Sequence, residues 1–285
     1  MEDRIEPMIE ERAPWLYQGG LRAKIMKPML DKLLGYERTI AMGKELDPFS
    51  AEEIMVKMQG MLAKRLVTKG MSNIPASGAA LIVANHPTGI ADGIMLNHAL
   101  SLQGREDAYY FANRDILRVM PQFETMIAPV EWRPEKRSHA KMKETMAYTR
   151  KAVEQGRIGV IFPSGRLAKR RGVQLHERAW MASAAMIGRK FDLPIIPVNI
   201  RSRNSALFYL FDFLHPSLRD ITLFYETLNK DRQPYHITVG EPISAASLPK
   251  NSEEAIETLR RETLRLGDPD LTLVSRKMRP ASALF

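Results

Sequence analysis

A histidine and an aspartate stand six residues apart in the segment LIVANHPTGIADG, residues 81–93. His86 follows a short apolar run, and Asp92 follows a turn that contains Pro87 and Gly89. A carboxylate beside an imidazole fixes the tautomer of the ring and leaves the second nitrogen free to take up a proton. The pair is therefore a candidate general base with its orienting acid. The alternative is a structural histidine and an aspartate that caps a helix.

The sequence offers no nucleophile to complete a catalytic triad. It contains no cysteine, which also excludes disulfides and thiolate metal sites, and no serine stands in a G-x-S-x-G setting. A base of this kind would activate a hydroxyl or amine of the substrate directly. The remaining histidines lack the spacing of metal ligands, so we expect no metal site.

A second candidate segment is VIFPSGRLAKRR, residues 160–171, which follows an apolar run. A turn at Gly165 would let backbone N–H groups approach an anion, and the guanidinium of Arg166 would neutralise a phosphate. The alternative is a solvated basic loop. A third segment, LPIIPV at residues 193–198, has a proline near each end of an apolar strand, and this pattern can be purely structural.

The elements that must position these residues alternate between strands and helices. Short apolar runs at residues 80–84, 158–162 and 195–200 predict buried strands, with helical patterns between the strands. We expect an α/β fold with a mixed, largely parallel central sheet flanked by helices. Ligands of such sheets bind beyond the carboxyl ends of the strands, where His86 would lie.

Residues 1–65 predict an N-terminal helical segment, and residues 66–285 the α/β domain. Residues 1–12 are highly charged, and we expect them to be frayed. Residues 15–34 then form an amphipathic pattern with interspersed cations, interrupted by Pro28. One interpretation is a helix that packs on the main domain. The other is an interfacial helix that lies on a membrane, with Trp15 and Tyr17 as anchors.

The overall charge favours anionic partners. The chain has 42 Lys and Arg against 33 Asp and Glu, a net charge of +9. No nucleic-acid motif accompanies this charge, so we expect no nucleic-acid partner. The sequence has no apolar run of membrane-spanning length, and its first residues do not resemble a secretory signal. Contact with an anionic membrane surface would therefore be peripheral.

Together, N-H-P-x-G-x-x-D-G, F-P-S-G-R and L-P-I-I-P-V resemble, in order and spacing, the lysophospholipid/glycerol-phosphate acyltransferase family over roughly residues 66–243. The resemblance implies transfer of an acyl chain from acyl-CoA or acyl carrier protein to the hydroxyl of a lysolipid, in membrane phospholipid synthesis. It implies no bound cofactor, because the thioester is a co-substrate. It also implies a cytoplasmic enzyme, peripheral on the inner face of the membrane.

By position, the resemblance assigns His86 as the base and Asp92 as its orienting acid. It assigns Arg133, at the end of MIAPVEWR, to the acceptor, with Trp132 or Glu131 as alternatives. Backbone N–H groups near Gly165 or Val198 would stabilise the oxyanion. The other substrate contacts that the resemblance implies are Phe162, Pro163, Ser164, Gly165, Arg166 and Pro197.

Two departures from the family pattern bear on the acceptor. Five residues separate His86 from Asp92 where the family usually has four, as in a subgroup called hemolysin-like. Ser164 replaces the usual glutamate of the second motif. Some members of that subgroup acylate amino-acid-derived lipids, so an ornithine- or glycine-type lyso-lipid is an alternative acceptor. A catalytically silent lipid-binding relative is the other alternative.

Overall fold

The computed structural model describes residues 1–62, 65–131, 134–172, 174–229 and 234–267. The strands of this part of the chain are β1 (Leu66–Lys69), β2 (Ala80–Ala84), β3 (Tyr109–Asn113), β4 (Ile127–Val130), β5 (Ile158–Ile161), β6 (Lys169–Arg171), β7 (Gln174–His176), β8 (Ile195–Arg201) and β9 (Tyr235–Val239). The helices are α1 (Glu2–Arg12), α2 (Leu21–Leu33), α3 (Tyr36–Leu46), α4 (Ala51–Leu62), α5 (Ile90–Ser101), α6 (Asp115–Val119), α7 (His139–Glu154), α8 (Ser183–Lys190), α9 (Ala206–Leu214), α10 (Pro216–Leu228) and α11 (Ser252–Arg265).

A seven-stranded sheet of order β1-β9-β8-β2-β5-β3-β4 forms the centre of the molecule. Strands β2, β3, β4, β5 and β8 run parallel, while β9 runs antiparallel to β8 and parallel to β1. Strand β2 lies in the middle, with Ile82 opposite Val160 on one side and Ile196 on the other. The expected mixed, largely parallel sheet is therefore confirmed.

Helices cover both faces of the sheet, which explains why its central strands are apolar throughout. Helices α4 and α5 bury one face, together with side chains such as Ile82 and Val160. Helices α7, α8 and α11 bury the other, together with side chains such as Leu81 and Ile195. Because five strands point the same way, their carboxyl ends share one edge of the sheet, and the loops at that edge build a large cleft.

The N-terminal helices differ from the sequence-based expectation in two respects. Residues 2–12 are not frayed: they form α1, which buries Ile5 and Met8 one turn apart on a single face. Helix α2 also continues through Pro28. The missing N–H of a proline leaves the carbonyl four residues earlier without its partner. That residue, Lys24, is exposed, as is Pro28, so water can solvate the carbonyl.

Helix α2 both packs on the domain and presents an exposed apolar face. Leu30 and Leu34 are buried in a cluster with Phe211 of α9 and Ile221 of α10. Trp15 packs against the same cluster and is half-buried, so it does not project from the surface as an anchor would. The exposed apolar side chains of α2 are Leu21, Ile25, Met29 and Leu33.

The basic stretch that follows β5 is not an irregular loop throughout. Lys169, Arg170 and Arg171 form β6, which pairs antiparallel with β7 as a two-stranded ribbon. The ribbon starts close to the end of β2, because the Ala168 N–H donates to the His86 carbonyl at 2.9 Å. In the part of the chain described, no helix has both the length and the apolar character needed to cross a membrane.

Candidate active site

The structure brings His86 and Asp92 together at the carboxyl end of β2. Nδ1 of His86 lies 2.9 Å from Oδ2 of Asp92, and the contact is bent away from ideal hydrogen-bond geometry. Such contacts commonly tighten only when substrate binds. Nδ1 and the Asp92 side chain are buried, whereas the histidine ring keeps 19% of its surface exposed and lines the cleft. The ring therefore has one nitrogen against a carboxylate and the other, Nε2, available to a substrate.

Asp92 also organises the turn that precedes α5. Its Oδ2 accepts the backbone N–H groups of Thr88 at 2.8 Å and Gly89 at 3.0 Å. Gly89 has a φ of 103°, a conformation that favours glycine and that lets the chain turn sharply into the helix. One carboxylate therefore caps the helix and also faces the histidine.

A chain of hydroxyl groups holds the second oxygen of Asp92. The Thr88 hydroxyl donates to Oδ1 of Asp92, and the Tyr235 hydroxyl lies 2.7 Å from the Thr88 oxygen. Since the Thr88 proton is used toward Asp92, Tyr235 is the donor to Thr88. Burial and the nearby Asp92 carboxylate raise the pKa of Tyr235 well above its usual value, which keeps this donor protonated.

Two contacts fix the position of His86. The preceding residue, Asn85, exchanges two hydrogen bonds with the backbone of Ile200 in β8, at 2.8 and 2.7 Å. The imidazole ring stacks on Phe162, with centroids 4.3 Å apart and an angle of 24° between the planes. The motif residue Phe162 therefore supports the histidine ring itself.

Glu177 is a residue of the site that the sequence did not reveal. Its Oε2 accepts the His86 backbone N–H at 3.2 Å, and its Oε1 accepts the indole N–H of Trp180 at 3.0 Å. Burial raises the pKa of this carboxyl above its usual value, and the two hydrogen bonds partly oppose the rise. Glu177 lies 91 positions from His86 in the sequence, so no local spacing could have indicated the contact.

The glycine of the second motif forms a tight turn after β5. Gly165 has a φ of 58°, and its N–H donates to the Phe162 carbonyl at 2.9 Å. The N–H of Gly165 itself is thus occupied, and stabilisation of the oxyanion by other backbone N–H groups near Gly165 stays a prediction. Val198 is fully buried within β8 and is not among the residues that line the cleft.

The other predicted contacts divide between the cleft and the interior. Pro163 and Arg166 line the cleft, and Arg166 is exposed with no ion-pair partner among the described residues. The Ser164 hydroxyl donates to the Arg166 carbonyl at 2.8 Å and so stabilises the loop. Pro197 is buried in β8 beside Gly240 and does not line the cleft, contrary to expectation. Arg133 lies outside the described residues.

The cleft at the edge of the sheet has a volume of about 2170 Å³, is lined by His86 among others, and has two chemically distinct arms. The apolar arm runs between the N-terminal helices, α4 and α5, and its lining includes Met8, Met42, Ile54, Met58, Ile94 and Phe123. The basic groove, as we name the second arm, lies between α7 and α8 and is defined by Met142, Met146, Arg150, Lys151, Met186 and Lys190.

Similarity to a known family covers the central part of the chain. The model of the family described as Acyltransferase matches residues 65–201, the stretch that contains β2, the Asp92 turn and the Gly165 loop. These residues match the acyltransferase family, and the resemblance to acyltransferases that the motifs predicted is confirmed.

Two curated relatives are each named lyso-glycine lipid O-acyltransferase. The one from Phocaeicola vulgatus is 23% identical over 68% of this chain and 70% of its own length. The one from Bacteroides thetaiotaomicron is 20% identical over 88% of this chain and 92% of its own length. Among solved structures, the 1-acyl-sn-glycerophosphate acyltransferase of Thermotoga maritima is similar with a TM-score of 0.48 and 13% identity, covering 85% of this chain and 95% of its own.

Proposed function

We propose that this protein transfers a fatty acyl chain from an acyl thioester, carried by coenzyme A or acyl carrier protein, to the hydroxyl of a lysolipid. One observation carries the proposal. His86 lines the same cleft as the apolar arm and the basic groove, with a buried carboxylate 2.9 Å from its Nδ1. This arrangement suits direct attack by a substrate hydroxyl on a thioester.

In the proposed mechanism His86 acts as general base through Nε2. It takes the proton of the acceptor hydroxyl while Asp92 stabilises the imidazolium that forms. The acceptor oxygen attacks the thioester carbonyl, the new C–O ester bond replaces the C–S bond, and the leaving thiolate takes the proton from Nε2. No covalent acyl-enzyme forms, which accords with a cleft whose base has no cysteine beside it.

The apolar arm is the part of the cleft that suits the acyl chain. Methionine and aliphatic side chains line it, and methionine adapts its shape to flexible hydrocarbon. Burial of each methylene group contributes about 0.8 kcal/mol, so a long chain would be held there strongly.

The acceptor we favour is a lysolipid with an anionic headgroup. Arg166 is exposed beside the catalytic loop, without an ion-pair partner among the described residues, and suits a carboxylate or phosphate. The names of both curated relatives support a lyso-glycine lipid, which agrees with the amino-lipid alternative from the sequence. A lysophospholipid is the second candidate, supported by the same anionic chemistry.

The test is an acylation assay with acyl-CoA and acyl carrier protein, each offered with lyso-glycine lipid, lyso-ornithine lipid and lysophosphatidate. We expect a diacylated product in the mass spectrum for at least one pair. Incubation with the donor alone should add no acyl mass to the protein. A stable acyl-protein would exclude the one-step mechanism, and absence of product with every pair would exclude the proposed activity.

We also propose that two apolar helix faces bring the enzyme to the membrane that holds its acceptor. Leu21 of α2 is 75% exposed and Phe213 of α9 is 76% exposed. The two helices share one buried cluster through Leu30 and Phe211. The exposed cations Lys24 and Lys32 on α2 would favour anionic lipid. We propose a cytoplasmic location on the inner face of the membrane, because anionic lipid is enriched in that leaflet.

Sedimentation with vesicles tests the membrane surface. Ile25→Asp combined with Phe213→Asp should release the protein from vesicles that contain anionic lipid. Leu102→Asp is the matched control, because Leu102 is similarly exposed, at 63%, on a different part of the surface. Equal binding by the double variant and the wild type would disprove this surface.

A further inference from the structure

The basic groove runs from the catalytic edge of the sheet toward the opposite edge. Helix α7 follows the carboxyl end of β4 and precedes the start of β5, and α8 lies in the same way between β5 and β8. Both helices therefore begin near the catalytic loops and descend across the same face of the sheet. The Met181 N–H bonds to the Pro163 carbonyl at 2.9 Å, which places the start of the groove beside the second motif.

Methionine side chains line the upper part of the groove. Met142 is 60% exposed and Met186 is 57% exposed, and they project from α7 and α8 respectively. On α8, Ser183, Met186 and Lys190 recur at the spacing of one helical face, and all three line the cleft. This apolar surface is open to solvent and adjoins the reaction centre, so it suits a slender ligand that is not wholly polar.

Cations gather at the far end of the groove. Arg150 and Lys151 near the end of α7 and Lys190 at the end of α8 are exposed, and none has a carboxylate partner among the described residues. Glu154 is the nearby acid that lines the same groove, which leaves a clear excess of positive charge. Arg189 is excluded from this set because its guanidinium donates to the carbonyls of Pro249 and Lys250.

We propose that the basic groove binds the phosphopantetheine arm of the acyl donor, an inference that rests on the proposed function. The thioester would lie at His86 and the acyl chain in the apolar arm, so the rest of the donor must leave the centre by another route. The pantetheine chain would pass over the methionines, and its phosphate would meet Arg150, Lys151 and Lys190.

The dimensions agree with this assignment. From His139 to Arg150, α7 advances eleven residues, which corresponds to about 16 Å along the helix axis. A pantetheine arm is comparable in length to an extended peptide of about five residues, which spans roughly 16 Å. A phosphate at the end of the arm therefore reaches the cations while its sulfur remains at the catalytic edge.

Binding measurements test the groove without requiring turnover. We would titrate the full chain with coenzyme A, with 4′-phosphopantetheine and with holo-acyl carrier protein, which share the arm and differ in the group attached beyond its phosphate. The double variant Arg150→Glu with Lys190→Glu should weaken binding of the preferred donor about tenfold or more. The donor that binds more tightly to the wild type identifies the carrier.

The matched control is Arg261→Glu with Arg265→Glu, which changes the net charge equally on exposed residues of α11 outside the cleft. Unchanged donor affinity in the groove variant, or equal weakening in the control, would overturn the proposal. The acylation assay separates the two proposals. If the donor binds in a groove-dependent manner but no acyl transfer occurs, the groove proposal is supported and the proposed activity is contradicted. If the groove variant transfers the acyl chain with an unchanged KM for the donor, the groove proposal is contradicted.

Discussion

The surroundings of His86 and the basic groove differ in how their polar side chains are held. Around His86, three polar side chains are held by hydrogen bonds: Asp92 binds the turn, Asn85 binds β8 and Glu177 binds the His86 backbone. In the basic groove the cations are exposed and have no carboxylate partner among the described residues, and the apolar side chains that accompany them are methionines.

The difference suits the role that we propose for each region. Proton transfer depends on distances of a few tenths of an ångström, so the groups that perform it must be held before substrate arrives. A phosphate on a flexible arm can be attracted by long side chains that adjust to it. We therefore expect substitutions near His86 to change kcat strongly and substitutions in the groove to change KM for the donor.

The largest effect should come from His86→Ala. Loss of a general base typically costs 10² to 10⁴ in rate, and we expect kcat to fall about 10³-fold. Steady-state kinetics with the preferred donor would measure it. His98→Ala is the control, because His98 lies on α5 and does not line the cleft. If His86→Ala kept most of the activity, His86 would not be the general base.

Asp92→Asn should rank second and should affect both rate and stability. We expect kcat to fall about 10²-fold because the imidazolium loses its carboxylate. If the NH₂ group of the asparagine faces the backbone N–H groups of Thr88 and Gly89, these donors lose their acceptor. An unpaired buried donor lowers the free energy of unfolding by about 1–3 kcal/mol. Urea unfolding and initial rates would separate the two effects. Thr88→Ser, which keeps the hydroxyl, should retain near-normal activity.

Glu177→Gln should have a smaller effect on rate and a diagnostic effect on pH dependence. Because its pKa is raised in the folded protein, Glu177 contributes its full stability below the ordinary value of 4.5 and loses it as pH rises through the higher folded-state value. The unfolding free energy of the wild type relative to the variant should therefore fall as pH rises above 4.5. Urea titrations from pH 4 to 8 would measure this.

A fall of kcat of about tenfold should accompany Glu177→Gln, because the amide cannot accept from both the His86 N–H and the Trp180 indole. Activity equal to the wild type at all pH values would mean that Glu177 does not position His86.

The smallest effect should come from Pro197→Ala. Pro197 lies inside β8 away from the cleft, so KM and kcat should change by less than about twofold, while stability falls by about 1 kcal/mol. Pro163→Ala is the variant for comparison. Because Pro163 lines the cleft, this change should alter KM. If KM rose in the Pro197 variant and stayed unchanged in the Pro163 variant, Pro197 and not Pro163 would be the residue that contacts substrate.

The sequence predicted what local patterns determine. His86 and Asp92 fall within one turn between a strand and a helix, so their residue types and spacing were enough to bring them together. The central strands were equally evident, because strands covered on both faces must be apolar throughout. The helix through residues 2–12 was missed because its order comes from packing of Ile5 and Met8 against the rest of the molecule, and not from its own composition.

Contacts between distant segments could not be predicted in this way. Glu177 reaches His86 from beyond the β6–β7 ribbon, and Tyr235 reaches Thr88 across 147 positions. Pro197 belonged to a motif but was placed by the sheet on the side away from the cleft. For Tyr235 and Pro197 the decisive fact is the pairing of strands, which a single sequence does not report, whereas Glu177 is placed by the path of the chain after β7.

The pairing of β1 with β9 has a consequence for the order in which the enzyme matures during synthesis. Strand β9 contributes Tyr235, the outer donor to Thr88 and so to Asp92, and it also supplies the partner of β1. A chain still being made on the ribosome carries His86 and Asp92 long before position 235 has emerged. The proposed proton-transfer pair would remain incompletely supported until β9 had joined the sheet, so we expect full activity only after that late strand has been translated.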